Sequence, residues 1–298
     1  MKLGLVGLGR MGSNMRERLR DRGHDAVGYD PNPEVSDVAS LEALVEVLPA
    51  PRAVWVMVPA GQPTREVIGQ LSHLLSPGDL VVDGGNSRFT DDHVHAALLA
   101  EHGIHYVDCG VSGGVWGRQN GYALMAGGDE TDITRLLPVF DALRPDGERA
   151  DSFVHAGGSV PGTTRRWCTT ASSTDLCRRT QKLRTARAEE SIQDVPAVLR
   201  AWSQGTVVRS WLLDLLVQAL SEDPALSSIS GYTEDSGEGR WTVEEAIAHA
   251  VPAPVISAAL FARFASRQDD SPAMKAVSAL RQQFGGHAIR RAAPAGIA

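Results

Sequence analysis

The sequence has little that would mark a secreted, membrane-bound or nucleic-acid-binding protein. Only three of its 298 residues are cysteine (Cys109, Cys168 and Cys177), an odd number with no ligand spacing. That excludes a disulfide framework or a cysteine-held metal, and points to a reducing cytoplasm. No apolar run approaches the length of a membrane span. The first, Leu3 to Val6, is also too short for a secretory leader and flows straight into glycines. Positive charge is not in excess. With 29 Lys and Arg against 36 Asp and Glu the net charge is −7, which argues against nucleic acid or an anionic membrane as partner. Any anionic substrate must then be met by local arginines or lysines. No internal repeat is present, and the length leaves room for about two domains.

What is there begins with Lys2-Leu-Gly-Leu-Val-Gly-Leu-Gly-Arg-Met-Gly12. A buried strand over Leu3–Val6 leads into Gly7-x-Gly9-x-x-Gly12, then a helical pattern from Met11 to Arg22 and a second strand from Asp25 to Tyr29. One glycine allows the tight turn, one lets backbone approach a pyrophosphate, and one lets helix pack on strand. Amides at the helix N-terminus then face the phosphates. Gly7, Leu8, Gly9, Arg10, Met11 and Gly12 are therefore candidate cofactor-binding residues. Asp30, at the tip of the second strand, can accept from both ribose hydroxyls of NAD and would repel a 2′-phosphate. Pro31-Asn32-Pro33-Glu34 supplies no arginine, so NAD is favoured over NADP. If Asp30 only caps a loop, that preference stays open.

Further strands are expected over Ala53–Val58, Asp79–Asp83, Ile104–Asp108, Tyr122–Ala126 and Ser152–His155. Helices are expected over Leu41–Val47, Thr64–Leu75, Asp91–His102 and Thr131–Leu143. This alternation predicts an α/β architecture: a Rossmann-like, doubly wound, mostly parallel sheet over residues 1–155. From Val195 the pattern turns helical, over Ala197–Trp202, Val207–Leu220, Val243–Ala250, Ile256–Arg267 and Met274–Gln283. An all-α domain is expected over residues 156–298. His93-x-His95 beside Asp91 and Asp92 has a metal-like composition. On a helix, however, i and i+2 point to different faces, so a solvated helix start and no metal are expected.

These motifs together resemble the decarboxylating 6-phosphogluconate dehydrogenases, in their short bacterial form, within the β-hydroxyacid dehydrogenase superfamily. Val82-Asp-Gly-Gly-Asn-Ser87 is similar to the family loop whose asparagine, here Asn86, sits by nicotinamide and substrate. Asp108-Cys-Gly-Val-Ser-Gly-Gly114 is similar to its substrate loop, which assigns Ser112, Gly113 and Gly114 to the sugar acid. Val58, Pro59 and Ala60 resemble the segment that passes the cofactor. Taken singly, Asn86 reads as a turn residue and Ser112 as a loop serine. Farther on, Trp202-Ser-Gln-Gly-Thr-Val-Val-Arg-Ser210 and Gly237-Glu-Gly-Arg-Trp241 are family landmarks. The resemblance makes Arg263 a phosphate-binding arginine. Arg281-Gln-Gln-Phe-Gly-Gly-His287 resembles a motif that reaches the partner subunit's substrate, which implies a homodimer with a shared site. Guanidinium forks suit a doubly charged phosphate, although a solvated helix face is the ordinary fate of an arginine, and His287 could equally be a tail residue.

The resemblance breaks over residues 157–188. The family's catalytic helix reads close to Lys-Met-Val-His-Asn-Gly-Ile-Glu-Tyr. Its lysine removes the C3 hydroxyl proton as hydride leaves, and after loss of carbon dioxide its glutamate helps protonate the enediol. Here the corresponding stretch is Arg166-Trp-Cys-Thr-Thr-Ala-Ser-Ser-Thr174, poor in helix formers and without an apolar period. No catalytic acid or base can be named. Yet that stretch can be written AGA TGG TGC ACA ACG GCA TCG AGT ACG. With an A placed before it and the frame read one base earlier, it spells the family's nine residues. We read this as a local frame change from near Ser159 to near Ala188, either a sequencing artefact or a lesion of the gene; resequencing decides between them.

The resemblance implies oxidation and decarboxylation of 6-phosphogluconate to ribulose 5-phosphate. Two alternatives remain: another β-hydroxyacid dehydrogenase, of the 3-hydroxyisobutyrate type, or a catalytically impaired NAD-binding protein.

Overall fold

The computed structural model describes residues 1–158, 195–203, 210–234, 237–268 and 270–285. The chain divides into two compact units, Met1–Thr169 and Thr170–Ala298.

In the first unit, strands β1 (Lys2–Val6), β2 (Asp25–Tyr29), β3 (Ala53–Val56), β4 (Leu80–Asp83), β5 (His105–Ser112), β6 (Ala123–Gly127) and β7 (Phe153–His155) form one sheet. Its order is β2-β1-β3-β4-β5-β6-β7. Every neighbouring pair is parallel except β5 and β6, which run antiparallel. Helices α1 (Arg10–Asp21), α2 (Leu41–Val47), α3 (Gln62–Leu74), α4 (Phe89–Glu101), a short α5 (Gly117–Asn120) and α6 (Glu130–Leu143) fill the connections.

Strand residues alternate between two cores, as a sheet covered on both faces requires. Leu3, Leu5, Trp55, Leu80 and Val82 pack with Met15 and Leu19 of α1 and Phe140 of α6. Val6, Val54, Val56 and Val81 pack on the other face with Leu44, Ile68, Leu71 and Leu99, from α2, α3 and α4. The Rossmann-like, doubly wound expectation holds.

Two local expectations need correction. Strand β5 runs on to Ser112, through residues read from the sequence as a loop, because Cys109–Ser112 pair with Ala123–Ala126 of β6. The start of α4 is not simply solvated: Asp91 pairs with Arg65 at 3.3 Å and His93 is exposed, but Asp92 and His95 are buried. Their partners come from distant strands, which sequence spacing does not reveal.

The second unit is helical: α7 (Val195–Ser203), α8 (Trp211–Glu222), α9 (Glu238–Ala248), α10 (Pro254–Ala265) and α11 (Pro272–Gly285). Ser210 caps α8, its hydroxyl oxygen accepting from the Leu213 amide at 3.2 Å. Leu199, Leu213 and Leu220 are the buried centre of the α7–α8 pair. The expected helix start at Val207, Cys168, Cys177, the stretch 159–188 and His287 lie outside the described residues. Among the described residues, no helix is long and apolar enough to cross a membrane.

Candidate functional site

The C-terminal ends of β1, β3 and β4 open onto a cleft of about 660 Å³. In a parallel sheet these ends, with the helix N-termini that follow them, are where ligands are held. Gly7 turns the chain out of β1 with φ +91°, a conformation that favours glycine. Gly12 sits so close behind that a Cβ there would lie 1.9 Å from the Gly7 carbonyl oxygen, so α1 can start where it does only with hydrogen at that position. Gly9 meets nothing within 4 Å, leaving the mouth of the cradle open. The first amides of α1 have no partner within the helix and carry its positive dipole end. That set of features fits a pyrophosphate.

Asp30 faces the same cleft. One carboxylate oxygen accepts from the Leu8 amide at 2.7 Å and the other from the Asn32 amide at 2.9 Å. It therefore braces the glycine turn and also presents a carboxylate at the end of β2. The Ser13 hydroxyl donates back to the Leu8 carbonyl at 2.6 Å, closing the first turn of α1 onto the cradle.

The opposite wall is the loop after β4. Gly84 packs on the buried Trp55, whose Nε1 would lie 2.1 Å from a Cβ at Gly84. Asp83 fixes the rest of the loop: its carboxylate accepts from the Gly85 amide at 3.0 Å and from the Ser87 hydroxyl at 2.8 Å. Beneath it, the Tyr106 hydroxyl donates to Asp92 at 3.0 Å and to Asp83 at 3.4 Å. Burial, reinforced by the charge of Asp83, raises the Tyr106 pKa well above the ordinary phenol, so Tyr106 remains a donor. His95 Nδ1 is 3.8 Å from Asp83. Asp83, Asp92 and His95 bring one ligand atom each within 4.8 Å of one another, a donor set that could hold a cation. Both oxygens of Asp83 already serve the loop, so the network is accounted for as the support beneath Asn86.

The cleft gathers Gly7, Gly9, Arg10, Met11, Gly12, Asp30, Val58, Pro59 and Asn86. Leu8 is buried and contributes its amide to Asp30; Ala60 is half-buried and does not line the cleft. Sequence reading missed Pro63, Glu66 and Gln70 of α3, which also line it. Their three- and four-residue spacing, just after Val58-Pro-Ala60, was the available signal.

Ser112 closes β5, half-buried, and Gly113 and Gly114 follow it outside the cleft lining. A Cβ on Gly113 would meet the Tyr122 ring at 2.8 Å, and Gly114 has φ +56°. In the helical unit, Arg263 is half-buried in the last turn of α10 and makes no ion pair among the described residues. Arg281 lies on α11, its side chain outside the described residues.

Comparison with known proteins adds the following. Residues 2–149 match the NAD binding domain of 6-phosphogluconate dehydrogenase, and residues 182–295 match its C-terminal domain. The anomalous stretch falls largely between them. YqeC of Bacillus subtilis, a provisional 6-phosphogluconate dehydrogenase, is 35% identical over 98% of this chain and 100% of its own length. The NAD(+)-dependent, decarboxylating 6-phosphogluconate dehydrogenase of Haloferax volcanii is 34% identical over 98% of this chain and 99% of its own. Among solved structures, the Plasmodium falciparum 6-phosphogluconate dehydrogenase has the same fold, with TM-score 0.80 and 21% identity, over 100% of this chain and 68% of that one. The Mycobacterium tuberculosis 3-hydroxyisobutyrate dehydrogenase shares it at TM-score 0.71 and 23% identity, over 94% of this chain and 99% of that one.

Proposed function

The chain belongs to the 6-phosphogluconate dehydrogenase family, and from that premise we propose that its cleft binds NAD for the oxidative decarboxylation of 6-phosphogluconate to ribulose 5-phosphate. The observation that carries this reading is the cradle itself, where glycine turn, helix N-terminus and Asp30 converge on one cleft. When bound, NAD supplies the hydride acceptor. The chain does the rest. Amides of Arg10, Met11 and Gly12 hold the pyrophosphate, and Asp30 accepts from the ribose hydroxyls and disfavours a 2′-phosphate. Val58 and Pro59 flank the dinucleotide, with Ala60 following them outside the cleft lining, and Asn86 orients nicotinamide and sugar acid. Ser112, Gly113 and Gly114 hold the sugar acid, and Arg263, Arg281 and His287 take its phosphate. That Arg263 makes no ion pair among the described residues supports that role, and a small hydroxy acid would need no such clamp.

In this reading the dinucleotide-binding domain is 1–155 and the helical domain 156–298. The enzyme works as a cytoplasmic homodimer with Arg281 and His287 reaching the partner's substrate. Exposed apolar side chains in the helical unit, Ile247 and Leu280 among them, support an interface there.

The family's lysine and glutamate are absent from residues 166–174, and Arg166 stays protonated at neutral pH, so it cannot replace the base. The chain as it stands binds NAD and turns over poorly. Calorimetry with NAD and NADP, alongside a substrate panel, tests the proposal. Binding of NAD ahead of NADP supports it, and no binding of either overturns it. Turnover of 3-hydroxyisobutyrate in place of 6-phosphogluconate would favour the other dehydrogenase class.

A further inference from the structure

The cofactor cradle and the segment assigned to the sugar acid are joined by one face of α1. Asn14, Arg18 and Asp21 stand at i, i+4 and i+7, so they share that face. Asn14 Nδ2 donates to the Val115 carbonyl at 2.9 Å. Arg18 Nη1 donates to the Arg118 carbonyl at 2.8 Å, and the Arg118 guanidinium returns to Asp21 at 3.1 Å. The segment they hold, Gly113–Asn120, has little apolar anchoring at its near end, where Val115 and Trp116 are exposed. Its position there is set by polar ties to α1.

The three ties are not equivalent. Arg18 is buried and also donates to the Ala142, Leu143 and Arg144 carbonyls, so it belongs to the framework. Asn14 is half-buried, two residues beyond Gly12 and five beyond Gly9. Ser13 ties that same first turn back to Leu8 in the cradle, and Asn14 ties it outward to Val115, three residues after Ser112.

We propose that Asn14 is a positioning residue that transmits occupancy of the dinucleotide cradle to the segment Ser112–Val115. This rests on the dinucleotide reading above. A pyrophosphate settled on the first amides of α1 fixes its first turn; Asn14 then fixes the Val115 carbonyl, and with it the backbone that meets the sugar acid. Order of binding follows: the sugar acid meets a better-formed segment once the dinucleotide is in place.

The test is amide hydrogen exchange over residues 113–118, with and without NAD, in the unchanged chain and in Asn14→Ala and Asn14→Asp. The second variant keeps shape and volume but removes the donor. NAD affinity is measured in parallel by calorimetry. In the unchanged chain NAD should slow exchange of this segment. In both variants exchange without NAD should rise about three- to tenfold, the scale of one lost hydrogen bond, and slowing by NAD should vanish. NAD affinity should stay within about twofold in Asn14→Ala, whereas the added charge of Asn14→Asp weakens it, and in both the amides of residues 7–13 should still be protected at saturating NAD. Slowing of 113–118 in the variants equal to that in the unchanged chain overturns the coupling alone. No NAD affinity in the unchanged chain overturns the dinucleotide reading, and this coupling with it.

Discussion

The two units bury their side chains very differently. In the Rossmann unit Trp55, Tyr122 and Phe140 are all fully buried, and both sheet faces are covered. Among the described residues of the helical unit, only Leu199, Leu213, Leu220 and Leu260 are buried apolar side chains, while Ile247 stands 76% exposed and Leu280 68%. A sheet closed by helices on both faces supplies its own core. Amphipathic helices with uncovered apolar faces need another surface, which the proposed dimer would supply. The first unit should therefore behave as a self-sufficient binder, and the second should depend on assembly.

The largest expected effect comes from asking the same substitution of both units. Gly12→Ala drives a Cβ into the Gly7 carbonyl, so NAD affinity should fall at least about a hundredfold in calorimetry and the melting temperature should drop. Gly239→Ala, on α9, would meet only Leu260 Cδ1 at 3.6 Å and should leave melting unchanged or gain up to about 1 kcal/mol. Equal damage from both would erase the contrast.

Next in size, Arg18→Ala removes one guanidinium from four carbonyls and should cost on the order of 3 kcal/mol in denaturant unfolding, nearly all within the first unit's transition. Asp30→Ala should weaken NAD about tenfold and narrow its lead over NADP, measured by competition. Loss of affinity for both dinucleotides alike would reduce Asp30 to a brace for Leu8.

The smallest effect concerns pH. Hydrogen bonds from Arg149, and then Arg144, hold Asp141 down to about 2 from an ordinary 3.8. A depressed carboxylate contributes stability above its unfolded pKa and loses it as pH falls through the folded one. Arg149→Ala should therefore flatten the loss of stability between pH 4 and pH 2. Because Asp141 is only half-buried and its partner Arg149 is exposed, solvent screens the pair and the change should stay well under about 1 kcal/mol.

Much of the first unit was legible because strand and helix periods alternate at short spacing, and the glycine cradle follows from three residues. The extension of β5 to Ser112 was not. Gly110 and Ser112 look like loop chemistry, and only pairing with β6 makes them strand. The buried Asp92 and His95 were misread for the same reason: charged residues default to solvent, and their partners Asp83 and Tyr106 arrive from other strands. In the second unit the helical period was readable, whereas nothing in a single chain's pattern says what covers the outer faces.

In the proposed reading this chain keeps a dinucleotide site but lacks, over residues 166–174, the lysine and glutamate that would use it. The most direct measurement is the ratio of 6-phosphogluconate turnover with NAD between two chains, one as it stands and one with residues 159–188 read in the alternative frame. The account predicts that both bind NAD alike and that the second is faster by at least about 10²–10⁴, the scale of one acid–base group. Equal turnover by the two chains would contradict it.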